Sequence, residues 1–182
     1  MSTPIPADPA KLVIGIFTGN RNLFAETAEK LSKIYGPSDI ISGWMPFNYT
    51  NYYEPEMGQD LQRRMISFEV LIKQDDLADI KYFTNTIEKE LSSEEKRTIN
   101  IDPGYMVMSR FVLATGKDFA HRIHIGGGIY ADLTLLYKDG GFKTLPWTYP
   151  DYADSMIFRF LKGVRTKYIS DLKNIHQKQT GK

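Results

Sequence analysis

KLVIGIFTGNRNLFAETAEKLSKIYGP, residues 11–37, holds a strand, a helix and a breaker in succession. Residues 11–18 form a continuous apolar run rich in β-branched side chains, the composition of a strand covered on both faces. Asn22 stands where an N-cap belongs. Leu23, Phe24, Ala28, Leu31, Ile34 and Tyr35 then recur at helical spacing until Gly36-Pro37 stops the helix.

Downstream, residues 39–47 read as a second strand that leads into an aromatic segment, residues 48–58. The Ser, Phe, Val, Leu and Ile content of residues 65–72 suits a central third strand. Asp75 or Asp76 caps a second helix with Leu77, Ile80, Phe83, Thr84, Ile87 and Leu91 turned inward, and a fourth strand starts near Arg97 and runs at least to Asn100. The order β-α-β-β-α-β is that of a ferredoxin-like sandwich, so the expected class is α+β, with two helices on one face of a four-stranded sheet.

C-terminal β-hairpins extend that sheet. Residues 120–125 and 129–137 read as strands joined by Gly126-Gly127-Gly128, and Asp139-Gly140-Gly141 turns back into residues 142–145. Residues 105–114 read either as a continuation of the fourth strand, which is preferred, or as a short helix. Ile157, Phe160, Leu161, Val164, Tyr168 and Leu172 form one stripe of a terminal helix, opposite Arg159, Lys162, Arg165 and Lys173. One domain over residues 8–175 is expected, with residues 1–7 and 176–182 as flexible termini.

Composition narrows the function. The chain has 182 residues, and its 23 basic against 22 acidic side chains give a net charge of +1. That balance argues against a dedicated nucleic-acid partner, which needs a basic excess. Without cysteine the chain has no disulfide, thiolate nucleophile or sulfur-ligated metal. Residues 1–11 lack the apolar core of a secretion signal and no apolar run is long enough to span a membrane, so a cytoplasmic location is expected.

Residues 102–152 concentrate DPGY, KDFAHR, IGGG, YKDGG and LPWTYPDY. The three glycines fit neither a Walker loop nor a dinucleotide loop, because a strand-like alternation follows them; they read as a hairpin turn. His121 and His124 fall on opposite faces of a strand, so no metal is assigned. Arg110, Lys117, His121, Arg122, Lys138 and Lys143 lie in the hairpin-rich region, where converging cations would neutralise a phosphate or carboxylate. Surface pairing with Asp118, Asp132 and Asp139 is the plainer reading.

Tyr52 and Tyr53, in PFNYTNYYEPEMG at residues 46–58, offer rings and hydroxyls to a planar ligand, and Tyr105 joins them as a candidate. His121 is the candidate acid or base, and Asp102 or Glu54 would orient it. LPWTYPDY either walls a pocket or staples the terminal helix to the sheet.

PFNYTNYYEPEMG, SFEVLI and the run INIDPGYMVMSRFVLATGKDFAHRIHIGGGIYADLTLLYKDGGFKTLPWTYPDY resemble the bacterial family catalogued as domain of unknown function 4416. The resemblance spans residues 11 to about 168 and implies no activity, cofactor or site residue. Some relatives carry a label of GTP-binding protein, but the chain lacks the P-loop, DxxG and NKxD patterns. Three functions follow: an enzyme or sensor for a small anionic, phosphorylated or nucleotide-like ligand; an RNA-interacting module; or an assembly partner, including a homo-oligomer. The cofactor is unknown.

Overall fold

The computed structural model describes residues 1–180 and shows a mixed α+β chain built on one antiparallel sheet of nine strands. The strands are β1 (Ala10–Thr18), β2 (Ser38–Ile41), β3 (Met45–Pro46), β4 (Gln62–Ile72), β5 (Ile99–Val107), β6 (Arg110–Thr115), β7 (Arg122–Gly126), β8 (Ile129–Lys138) and β9 (Gly141–Thr144). The helices are α1 (Asn22–Tyr35), α2 (Glu54–Met57), α3 (Leu77–Glu90) and α4 (Ser155–Thr180). Residues 181–182 of the expected flexible tail lie outside the described residues. Among the described residues no helix is long and apolar enough to cross a membrane.

The sheet runs β2-β4-β1-β5-β6-β8-β7, with β3 on β4 and β9 on β8. Every residue of β1 is buried, as its unbroken apolar run requires. Leu12, Ile14 and Ile16 point to a core shared with Phe24 and Leu31 of α1 and Leu77, Ile80 and Ile87 of α3. Val13 points the other way, to a core with Ile157, Leu161 and Val164 of α4. Two helices therefore cover one face and α4 covers the other. Lys11, fully buried, holds α4 through Asp171 at 2.7 Å and is also paired with Asp39.

Local readings needed correction at three places. Asn22 lies inside α1, and its backbone N–H is accepted by Asn20 Oδ1 at 3.1 Å, so Asn20 does the capping expected of Asn22. The second expected strand is broken between β2 and β3. There Ser42 turns its own hydroxyl to Gly43 O and accepts Met65 N–H. The fourth strand continues to Val107, and a two-residue turn returns the chain as β6. The glycine turn joins β7 to β8 with φ of 116°, 55° and 76° at Gly126, Gly127 and Gly128, a left-handed run that side chains resist.

Candidate functional site

The site begins as a defect in the sheet. The β5–β6 ladder runs from Val107↔Arg110 to Gly104↔Leu113 and stops, although β5 continues back to Ile99 beside β1. Glu88 Oε1 accepts the Ile101 N–H at 2.6 Å and Lys81 Nζ donates to the Ile101 carbonyl at 2.9 Å, so this residue's backbone faces away from β1. Alternate strand residues aim the same way, which turns Pro103 to β6 with no N–H to give. The ladder ends there. At the last pair a Cβ on Gly104 would stand 2.5 Å from Val112 O, so glycine permits the final close approach.

β6 stays with β8 and leaves β5, opening a cleft of about 620 Å³. Lys81, Asn85 and Glu88 of α3 form one wall. Leu113 to Lys117 and Asp132 form the opposite wall, Asn100 and Asp102 lie on β5, and Tyr49, Tyr52, Tyr53, Tyr149 and Tyr152 bring rings to it. Cavities of this size suit a small organic molecule.

Arg63, only 3% exposed, stands in register with Phe17, which pairs in turn with Asn100. Its guanidinium lies 4.8 Å from the Phe47 centroid and 4.9 Å from that of Tyr152. Asp151 pairs with it, and Asp102 Oδ2 stands 3.9 Å away. Burial opposes its charge, but Tyr152, Asp151 and Asp102 outweigh that and hold its pKa above the ordinary value.

Arg97 ties the mouth together. It grips Glu56 of α2 through Nε at 2.9 Å and Nη2 at 2.6 Å, and its Nη1 donates to Asn100 Oδ1 at 3.2 Å. The Arg97 fork holds the Glu56 carboxyl below its usual range. On the opposite wall, burial pushes the Glu88 carboxyl up, against the pull of Lys81 and the Ile101 N–H. Burial also raises the Tyr53 phenol, with Asp102 adding to it, and Tyr49 is pushed up to about 12 by burial and by Asp154.

Four donors in three cleft-lining residues have no hydrogen-bond partner among the described residues: Arg63 Nε and Nη1, Asn100 Nδ2 and Tyr152 Oη. Arg63 Nη1 touches Asp151 without the alignment of a hydrogen bond. A buried donor left unpaired costs about 1–3 kcal/mol, so such a group is an unusual feature for a purely structural wall.

The family model described as Domain of unknown function (DUF4416) matches residues 8–168. The chain belongs to the DUF4416 family. No curated protein and no solved structure matches it.

In this DUF4416 chain the cleft brings together four residues expected from the sequence: Tyr52, Tyr53, Asp102 and Lys117. Lys117 Nζ lies 4.5 Å from the Tyr52 ring centroid, linking the two sides of the mouth. Arg122 sits just behind. Its Nε donates to Asp132 at 2.9 Å, its Nη1 to Lys117 O at 2.9 Å and its Nη2 to Tyr149 Oη, so it braces the wall. His121 contacts the same Asp132 oxygen at 3.3 Å and stacks on Trp147 at 5.0 Å.

The remaining candidates lie elsewhere. Glu54 contacts Gln59, Arg110 donates to Gln74 at 3.1 Å, and Lys138 ends β8 in the exposed hairpin. Tyr105 belongs to the α1–α3 core. Sequence reading missed Arg63, Lys81, Glu88, Arg97 and Asn100. Lys81, Asn85 and Glu88 did carry a signal: spacings of four and three set them on one stripe of a helix. LPWTYPDY does both jobs open to it. Tyr149 to Tyr152 wall the cleft, while Trp147 Nε1 donates to Leu133 O at 2.9 Å and Tyr152 packs with α4. Among the described residues no group of three or more His, Asp or Glu is arranged to hold a metal ion.

Proposed function

We propose that this protein binds a small anionic, nucleotide-like molecule in the split between β5 and β6. The tyrosines of the mouth supply faces for a flat ring. Lys117 and Lys81 on opposite walls supply charge for a phosphate or carboxylate, and neither has a carboxylate partner within ion-pair distance among the described residues. The four other lining charges most deeply set, Arg63, Glu88, Asp132 and Asp151, are engaged by neighbours. The observation that carries the reading is the set of unpartnered donors on Arg63, Asn100 and Tyr152 within one cavity.

The strand order β2-β4-β1-β5, with α1 and α3 on one face, supports reading the first half as a ferredoxin-like unit whose outer edge has been extended by β6 to β9. In this reading the ligand lies at the junction of unit and extension.

The test is a thermal-shift series with UMP, IMP, ribose 5-phosphate and citrate, since a ligand that binds only the folded state raises its melting point. UMP or IMP is expected to raise it, and Lys117→Ala and Tyr52→Ala, both exposed positions, to lose the rise while keeping the parent melting point. A flat response to every compound contradicts the proposal. One observation favours a second reading, assembly through an edge: Ile123 on the edge strand β7 is 72% exposed. A size that grows with concentration, without a ligand response, would support it.

A further inference from the structure

Asn100 is a side-chain amide whose orientation is fixed. Arg97 has no acceptor to offer, so the oxygen of Asn100 must face Nη1, and the NH2 faces the other way. Glu56 fixes Arg97 in turn with two side-chain hydrogen bonds. The Asn100 NH2 has no partner, and neither has Arg63 Nε, two strands away in the row Arg63–Phe17–Asn100. Tyr152 Oη hangs above the neighbouring row, close to Gly15, where a Cβ would stand 2.9 Å from it. All three residues are under one-tenth exposed. Two of these groups can only donate, and the third donates unless it finds a donor of its own.

A site whose unsatisfied groups are donors accepts an oxo or carboxylate oxygen and penalises an amino group, because an amino group would leave both sides unpaired. We infer that the Asn100 amide, positioned by Arg97, selects ligands that present an oxo oxygen on their ring over those presenting an amino group at the same place. The inference rests on the binding reading above. Tyr53 packs edge-on against Phe17 at 4.8 Å, so the oxygen reaches the row by displacing the Tyr53 ring. Arg97, which lies 5.6 Å from that ring's centroid, couples the two events.

Two pairs of probes exchange an oxo for an amino group, with the adjacent ring nitrogen changing from N–H donor to acceptor: UMP against CMP, and IMP against AMP. By calorimetry UMP and IMP are expected to bind at least about tenfold more tightly than CMP and AMP, the discrimination a site built for one polar partner gives against its mismatch. Asn100→Asp keeps an oxygen for Arg97 and replaces the NH2 by an acceptor, so its preference is expected to reverse toward CMP and AMP. Arg97→Lys frees the amide to turn, and is expected to weaken the preference without abolishing binding. Equal affinity for both members of each pair, or an unchanged preference in Asn100→Asp, overturns the inference and leaves the binding reading intact. No binding of any of the four overturns both.

Discussion

Gly104 and Leu113 form the last pair of the β5–β6 ladder, and one residue farther along β5 Pro103 faces β6 without an N–H. Two adjacent residues thus end the β5–β6 pairing and open a cavity. Glu88 and Lys81 then satisfy the Ile101 backbone that a strand would otherwise have paired.

Gly104→Ala is expected to cost about 1–3 kcal/mol, because its methyl group would press on Val112 O and Leu113. Gly163, in α4 with nothing within 4 Å of its Cβ position, gives the opposite expectation: Gly163→Ala should add about 0.5–1 kcal/mol. Urea unfolding of both variants checks the pair. A neutral Gly104→Ala would mean the strands do not approach as described.

Arg63→Met should destabilise the fold by about 3–5 kcal/mol, since it leaves Asp151 buried without its counter-ion. Adding Asp151→Asn should recover part of the loss, because the two residues share one interaction. Additive losses in a double-mutant cycle would show that the pair is not coupled.

Glu88 gives a pH dependence of a particular sign. Burial raises its pKa, so the folded chain holds this proton more tightly than the unfolded chain does. Between the ordinary and the raised value, stability therefore falls as pH rises. Glu88→Gln retains an oxygen for the Ile101 N–H, and should gain on the parent protein as pH climbs through that window. Denaturation midpoints at a series of pH values measure the difference; a difference that shrinks with rising pH has the wrong sign.

Much of the fold was legible because apolar runs and helical stripes are local signals. The residues 11–18 strand, the first helix and the α4 stripe all follow from spacing, and the stripe residues from Ile157 to Leu172 are buried. The site was harder to read, since it depends on which chain ends meet. Arg110 and Lys138 lie at the end of the β6–β8 pair remote from Lys117, a strand length of about 17–20 Å from the mouth. Arg63 carried no local signal: strand alternation sets it on the face of Met65 and Arg64 on the face of Ile66, and both faces are buried, so position along the strand singles out neither arginine. Pro103 in DPGY was a readable signal, because proline inside a strand implies an unpaired edge.

Hydrogen–deuterium exchange with and without UMP tests most directly whether the split in the sheet is a binding site. Bound ligand should slow exchange in peptides covering residues 97–103 and 113–117, the two sides of the cleft, while β7 and β9 stay unchanged. UMP binding that protects neither side, or that protects only strands remote from the split, would contradict the account.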